Sequence, residues 1–378
     1  MNNSLLKKVI NGLIAPVIAL VIAAVVSSIA LLLAGHSPIN AVRAMTHYVT
    51  TTDSLVVILN RGAPLYVVSL GVAIGFKMNL FNIGADGQYR LAALIAAATG
   101  AAMDLPRVIQ IVLIMVIAMA IGGFWAAIPG VLKVTRGVNE VVSTIMLNYV
   151  ATGLSAYLLA TYFFNRAVKK SKNVVETHSI PKSGRLPDLN GLLAHVGVHL
   201  PRLTHLHSFL PIAALVGIAF YLLVWRTRFG YDLRMTGASA AAARSSGVNP
   251  KRMVVTTITI SGALSGLAAM GFLLTDFPKY DQGFPLGLAF TGIAVALLGR
   301  NHPGGIAAAA FFWAGIERAS QGLSTVNIPG EITKILQGTL LIASVIAYEL
   351  VRRRNLRNAV QHVSSIAKMP TAVEGAPA

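Results

Sequence analysis

Long apolar runs recur along almost the whole chain, and no other feature limits the possible folds as strongly. A helix rises about 1.5 Å per residue, so about 20 apolar residues cross the hydrocarbon core of a bilayer, which is roughly 30 Å thick. A chain that is 55% hydrophobic and 12% charged, with a mean hydropathy of +0.69, is too apolar for a water-soluble domain. The sequence therefore predicts an all-α integral membrane protein.

The apolar runs predict about ten transmembrane helices. Three of them, the third, eighth and ninth, are short and rich in glycine at their ends. Short spans of this kind are typical of discontinuous helices, whose free backbone groups are covered by protein or by a water-filled cavity. The runs occupy residues 13–33, 55–76, 90–103, 108–132, 139–164, 209–225, 253–274, 287–299, 304–316 and 331–348.

Lys and Arg indicate the orientation. In a ten-span topology both termini lie on one side, and so do the most basic segments, which predicts that this side is the cytoplasm. The chain is then a multi-pass protein of the cytoplasmic (inner) membrane, with an N-terminal segment at 1–12, a transmembrane domain at 13–350 and a cytoplasmic tail at 351–378. We expect the loop 165–208 outside and the loop 226–252 inside.

The formal net charge of +18 fits a basic inner rim beside anionic membrane lipid. Nucleic-acid binding is disfavoured, because no basic stretch lies in a soluble domain with interleaved aromatic residues. The external loop holds five histidines, but only His205 and His207 are closely spaced, so a solvated loop is favoured over a metal site.

Several kinds of chemistry find no support in the sequence. The chain has no cysteine, no Gly-Lys pair for a phosphate-binding loop and no H-E-x-x-H zinc motif. Acidic residues are sparse within the spans, which disfavours an ion-coupled secondary carrier, although this alternative stays open. We therefore expect no catalytic residue, no metal site and no cofactor, with energy supplied by another subunit.

The internal loop carries the strongest functional signal. An Ala-rich helical turn at 239–246 is followed by Gly247 and then by Asn249-Pro250, which is a helix-stop signal. An exposed helix with so little apolar surface fits docking to a soluble partner. By its pattern alone, a plain connecting loop explains it equally well.

This loop resembles the coupling helix of ABC importer permeases from the branch that handles branched-chain amino acids, simple sugars and nucleosides. Three further blocks match in the same order, at 81–89, 135–150 and 292–306. The last two, and Arg61 followed by Ala63-Pro64, are most similar to the nucleoside-type permeases. The residues of the loop pattern are Gly237, Ala242, Ala243, Arg244, Gly247, Val248 and Asn249.

The resemblance implies a translocation path for nucleosides, with a simple sugar as the alternative solute. It also implies an ABC ATPase subunit that uses the ATP, a second and different permease chain, and an extracytoplasmic solute-binding protein. Ala242, Ala243, Arg244, Gly247 and Asn249 would contact the ATPase. Two departures from the family pattern affect these roles, because Asp86 replaces an expected glutamate and small residues replace bulkier ones around the coupling helix.

The connection 79–90 supplies three candidate path residues, Asn82, Asp86 and Gln88. Polar groups near the membrane are costly unless they face a wet cavity or pair within the protein. These side chains suit a sugar or a base, but they equally suit a turn that caps a helix N-terminus. The residues alone do not decide between the two.

Asn148 is a further path candidate. It shares one face of the fifth span with Glu140 and Thr144, at the i, i+4, i+8 spacing of a helix, and lies deeper in the span than Glu140. Glu140 lies near the inner boundary, where it would be solvated or pair with Arg136.

Asn301 lies in a second Gly-rich turn, at 299–305, which joins the eighth and ninth spans as the connection 79–90 joins the second and third. The likeness predicts an internal repeat. Asn301 would gate the path or simply form a tight turn. The small-residue pair Gly262 and Gly266 permits a close helix crossing.

Overall fold

The computed structural model describes most of the chain, and its regular elements are helical. Apart from two isolated β-bridges, the described residues form no strands, which confirms the all-α fold class. The described residues are 3–166, 174–195, 197, 200–201, 204–281, 283–285, 287–329, 332–339, 342–343, 346–347 and 350.

The α-helices up to residue 320 are numbered in chain order. Short helical turns at Leu159–Phe163, Lys182–Gly184 and Gln321–Val326 supplement them. The helices are α1 Asn3–Leu33, α2 Pro38–Val49, α3 Thr52–Phe76, α4 Ala85–Ala101, α5 Arg107–Arg136, α6 Glu140–Leu158, α7 Asn190–His195, α8 Phe209–Arg226, α9 Arg228–Ala238, α10 Ala240–Ser245, α11 Pro250–Leu273, α12 Leu288–Leu298 and α13 Pro303–Ser320.

The chain divides into two compact units. The first comprises residues 1–40 and 328–378, of which the structure describes α1, the start of α2 and parts of the segment after residue 328. The second comprises residues 41–327 and contains all the helices from α3 to α13. The predicted tail at 351–378 lies outside the described residues.

Five helices in the described part of the chain are long and apolar enough to cross a membrane, and a sixth span is present if α1 and α2 count as one. The five are α3, α5, α6 with its following turn, α8 and α11. The predicted count of ten is therefore not confirmed. The three runs predicted to be short correspond to α4 with 17 residues, α12 with 11 and α13 with 18.

Helices α3 and α11 form the core of the second unit. About two thirds of the apolar window of each is buried, 67% for α3 and 61% for α11, against 22% for α6. Glycine permits the closest crossing, because a Cβ atom at Gly262 would lie 2.4 Å from the carbonyl oxygen of Gly122 in α5. The apolar faces left exposed on α5, α6 and α8 suit contact with lipid or with another membrane subunit.

Candidate functional site

Asn82 and Gln88 form a closed, buried pair of amides at the start of α4. The Asn82 side-chain nitrogen donates to Gln88 Oε1 at 2.8 Å and to Ser261 Oγ of α11 at 2.9 Å. Gln88 Nε2 donates back to Asn82 Oδ1 at 3.0 Å. Both residues are almost fully buried, so the pair fastens the α3–α4 connection to α11.

Asn148 holds the same connection from α6. Its Nδ2 donates to the carbonyl oxygen of Ile83 at 2.8 Å, and its Oδ1 accepts from the backbone N–H of Gly87 at 2.9 Å. Gly87 lies in the first turn of α4, whose N–H groups have no partner within the helix. A Cβ atom at Gly87 would lie 2.8 Å from Asn148 Oδ1, so only glycine allows this close approach.

Asp86 joins the N-termini of two short helices. Its Oδ1 accepts a 2.8 Å hydrogen bond from the backbone N–H of Gly287, the residue before α12. Gly287 has a φ of +81°, a left-handed conformation that favours glycine. The structure thus brings Asp86 together with Asn82, Gln88 and Asn148 around the start of α4.

Asn301 lies apart from this group, beyond the far end of α12. A helix of 11 residues separates the two positions by about 16 Å. Its backbone N–H donates to the carbonyl oxygen of Ala296 at 2.9 Å and closes α12, with a φ of 52°. Its buried Oδ1 has no hydrogen-bond partner among the described residues.

The polar face predicted on α6 is present, but Glu140 has a different partner from the one expected. Its carboxylate pairs with Lys133 of α5 rather than with Arg136. Arg136 lies in the last turn of α5, immediately before the left-handed Gly137, whereas Lys133 lies one turn earlier on the helix. Thr144 is buried, and its hydroxyl bonds back to the carbonyl oxygen of Glu140 at 2.7 Å.

The coupling segment contains the predicted short helix, α10. Ser239 begins it by accepting a 3.2 Å hydrogen bond from the N–H of Ala242, and it ends before Gly247, which has a φ of +83°. Asn249 then begins α11 by accepting from the N–H of Arg252 at 3.2 Å. Of the five residues proposed for coupling, Ala243 is buried, whereas Ala242, Arg244, Gly247 and Asn249 are exposed.

Helix α9 connects this segment to the α3–α4 connection. Asn79 Nδ2 donates to the carbonyl oxygen of Gly237 at 2.7 Å. A Cβ atom at Gly237 would lie only 2.3 Å from the carbonyl oxygen of Lys77, so the two backbones are in direct contact. The Lys77 ammonium lies 5.0 Å from the centre of the Trp225 ring, and Trp225 packs on His302 of the second turn. The first Gly-rich turn therefore contacts α9 through Asn79, and the second contacts the end of α8 through His302.

Sequence reasoning missed a cavity of about 370 Å³ in the second unit. It lies between the start of α3, the segment 204–207 and Asp276, which follows α11. These positions are far apart in sequence, and the only local signal was the placing of Asp53 and Asp276 at the ends of spans. The lining residues are Asp53, Val56, Val57, Asn60, Arg61, Thr204, His205, His207 and Asp276.

Hydrogen bonds and burial fix the geometry of this cavity. Asn60 accepts from the backbone N–H of His207 at 3.0 Å and donates to the carbonyl oxygen of His205 at 2.7 Å. His207 Nε2 lies 3.4 Å from Asp276 Oδ1. Burial lowers the pKa of His207 below its usual value, an effect that Asp276 opposes, so the ring is neutral near pH 7.

The sequence of residues 54–345 matches the family described as the permease component of the branched-chain amino acid transport system. The chain belongs to this permease family. The match confirms the family that the motifs predict and covers all the residues proposed for the path and for coupling. The permease is accordingly a multi-pass membrane protein with several apolar helices. No solved structure matches it.

Characterised relatives are similar to the permease over most of its length. It is 29% identical over 352 residues to the guanosine ABC transporter permease protein NupP of Bacillus subtilis, covering 91% of this chain and 96% of the relative. It is 28% identical over 345 residues to the nucleoside ABC transporter permease protein NupB of Lactococcus lactis, covering 90% and 91%. It is also 29% identical over 346 residues to the glucose ABC transporter permease protein TsgB13 of Haloferax volcanii, covering 89% and 88%.

Proposed function

We propose that this permease forms part of the path by which an ABC importer carries nucleosides across the cytoplasmic membrane. The observation that carries the proposal is its similarity, over about nine tenths of the chain, to a guanosine permease and a nucleoside permease. A simple sugar is the second candidate, because a glucose permease is equally similar. The motifs at 135–150 and 292–306 favour the nucleoside.

The proposed complex contains three kinds of partner: an ATPase subunit that uses the ATP, a different second permease chain and an extracytoplasmic solute-binding protein. Helix α10 would dock on the ATPase through its exposed residues, including Ala242 and Arg244. Docking on the ATPase requires the loop 226–252 inside, and the proposal includes about ten spans, both termini in the cytoplasm and the loop 165–208 outside.

Within the path we assign two kinds of role to the polar residues. The side-chain amides of Asn82 and Gln88 bond to each other and to Ser261, and the amide of Asn148 bonds to nearby backbone. These contacts support a positioning role at the start of α4. Asp86 and Asn301 each keep a side-chain oxygen without a partner in the described residues. These two are the better candidates for direct contact with the solute.

Uptake of radiolabelled guanosine, in cells expressing the full complex, tests the proposal. We expect ATP-dependent uptake that unlabelled nucleosides inhibit more strongly than ribose, glucose or leucine. The control is the same strain with an inactive partner ATPase, which should take up none. Competition by glucose or ribose alone would replace the nucleoside with a sugar, and uptake that survives loss of the ATPase would favour a secondary carrier.

A further inference from the structure

The cavity between α3, the segment 204–207 and Asp276, called here the outer cavity, has no role in the proposed path or in coupling. Its residues come from the first turns of α3 and from the end of the loop 165–208, which the charge distribution predicts to be outside. None of them belongs to the group around the start of α4. Its chemistry therefore needs a separate explanation.

The outer cavity offers hydrogen-bond acceptors and donors around an apolar wall. Asp53 accepts from the hydroxyl of Thr204, and Asp276 contacts His207. In the part of the chain that the structure describes, each carboxylate uses only one oxygen in these contacts, so each retains an acceptor. Val56 and Val57 supply the apolar wall.

The positive charge of Arg61 is partly balanced outside the cavity. Its guanidinium pairs with Glu317 of α13 at 3.3 Å, and both side chains stay partly exposed. Arg61 therefore retains donors for a ligand without giving the cavity a strong positive charge. The neutral imidazole of His207 adds a group that both donates and accepts.

Size and charge exclude most classes of ligand. Two carboxylates in one small cavity repel an anion. Among the described residues no group of three or more His, Cys, Asp or Glu side chains is placed to hold a metal ion. Small-molecule sites measure about 300–1,000 Å³, and at about 370 Å³ the outer cavity fits a compact solute. An apolar wall with carboxylates at its edge suits a ring that carries hydroxyl or N–H groups.

We propose that the outer cavity is a binding site for a neutral, hydroxylated solute, namely a nucleoside or a simple sugar, on the outer side of the permease. The inference rests on the proposed function and adds a place where the solute is held before it reaches the start of α4. The carboxylates of Asp53 and Asp276 accept hydrogen bonds from its hydroxyl or N–H groups, and Arg61 donates to its carbonyl or hydroxyl oxygens.

Thiol protection tests the site directly, because the chain contains no cysteine. A reporter at Val57→Cys, within the full complex in intact cells, is labelled by an impermeant thiol reagent with and without guanosine, ribose or glucose. At a solute concentration about ten times the dissociation constant, mass action slows labelling about tenfold. His205→Cys, on the exposed rim, is a second reporter in case Val57→Cys fails to assemble.

Two variants assign the effect to the carboxylates. Asp276→Asn and Asp53→Asn, each combined with the reporter, should raise the solute concentration needed for protection by about tenfold, because a charge-assisted hydrogen bond is lost. The matched control is Asp104→Asn, an exposed carboxylate in the α4–α5 connection that does not line the cavity. It should leave protection unchanged.

The outcomes distinguish failure of this site from failure of the proposed function. Protection by a sugar but not by guanosine supports the site and changes the substrate. If the reporter variants import guanosine but neither reporter is protected, the outer site is wrong and the proposed function stands. Protection by the binding protein without solute, or by the cation arginine alone, also overturns the site. Absence of any solute uptake by the unmodified complex overturns both.

Discussion

At the scale of single residues, Asn148 shows how a side chain in one helix stabilises the start of another. The first N–H groups of a helix lack partners, and the residue before α4 is Gly84, which has no side chain to cap it. Asn148 supplies the missing acceptor from α6 and binds the preceding carbonyl as well. We expect its truncation to loosen α4 rather than to remove a contact with the solute.

Asn148→Ala should therefore destabilise the complex and slow uptake together. Removing the side-chain amide breaks both hydrogen bonds and leaves the Ile83 carbonyl and the Gly87 N–H unpaired, at a cost of about 1–3 kcal/mol. Thermal unfolding of the purified complex and guanosine uptake measure the two effects. The control is Tyr149→Phe, because Tyr149 is 77% exposed on the same helix. Slower uptake with unchanged unfolding would instead make Asn148 a solute contact.

At the scale of helices and turns, the sequence predicts what neighbours in the chain determine and misses what tertiary contacts determine. The end of α10 before Gly247 is predicted correctly, because a local stop signal sets it. Helix α4 begins at Ala85, five residues before the apolar run at 90, because partners distant in sequence hold its first turn. The outer cavity is missed for the same reason.

Gly247→Val should uncouple transport by straining the backbone that ends α10. The φ of Gly247 is +83°, and no atom of this chain lies within 4 Å of a Cβ built there, so a Cβ at this position meets no steric obstacle within the permease. The left-handed conformation costs a non-glycine residue about 1–2 kcal/mol, which shifts the end of α10. Asn tolerates this conformation, so Gly247→Asn is the matched control. ATP hydrolysis and solute uptake are measured on one preparation. We expect the Val variant alone to import less solute for each ATP that it hydrolyses.

Asn79→Gly should weaken the connection between α9 and the α3–α4 connection. Glycine keeps the left-handed φ of 54° but removes the donor to Gly237. Loss of a hydrogen bond worth about 1 kcal/mol should lower the solute imported per ATP hydrolysed about fivefold. The control is Asn327→Gly, another left-handed and exposed asparagine. An unchanged ratio would show that α9 does not transmit movement through Asn79.

At the scale of the whole molecule, composition predicts that the chain spans a membrane, but it does not predict how many times. Composition predicts a membrane protein because burial in lipid requires apolar residues all along the chain. It does not fix the count, because an apolar run can form a helix too short to span a bilayer, as α12 does with 11 residues. The side of the membrane on which each loop lies can nevertheless be tested, because a long helix such as α8 separates neighbouring loops.

Cysteines introduced singly at Lys182 and Ser245 should react from opposite sides of the membrane. Among the described residues between them, only α8 is long and apolar enough to cross, so one crossing separates the two positions. Both side chains are exposed, and the parent chain has no cysteine to add background. We expect an impermeant thiol reagent to label Lys182→Cys in intact cells and Ser245→Cys only after the membrane is opened. Labelling of both in intact cells would place the coupling segment outside, where no cytoplasmic ATPase could reach α10.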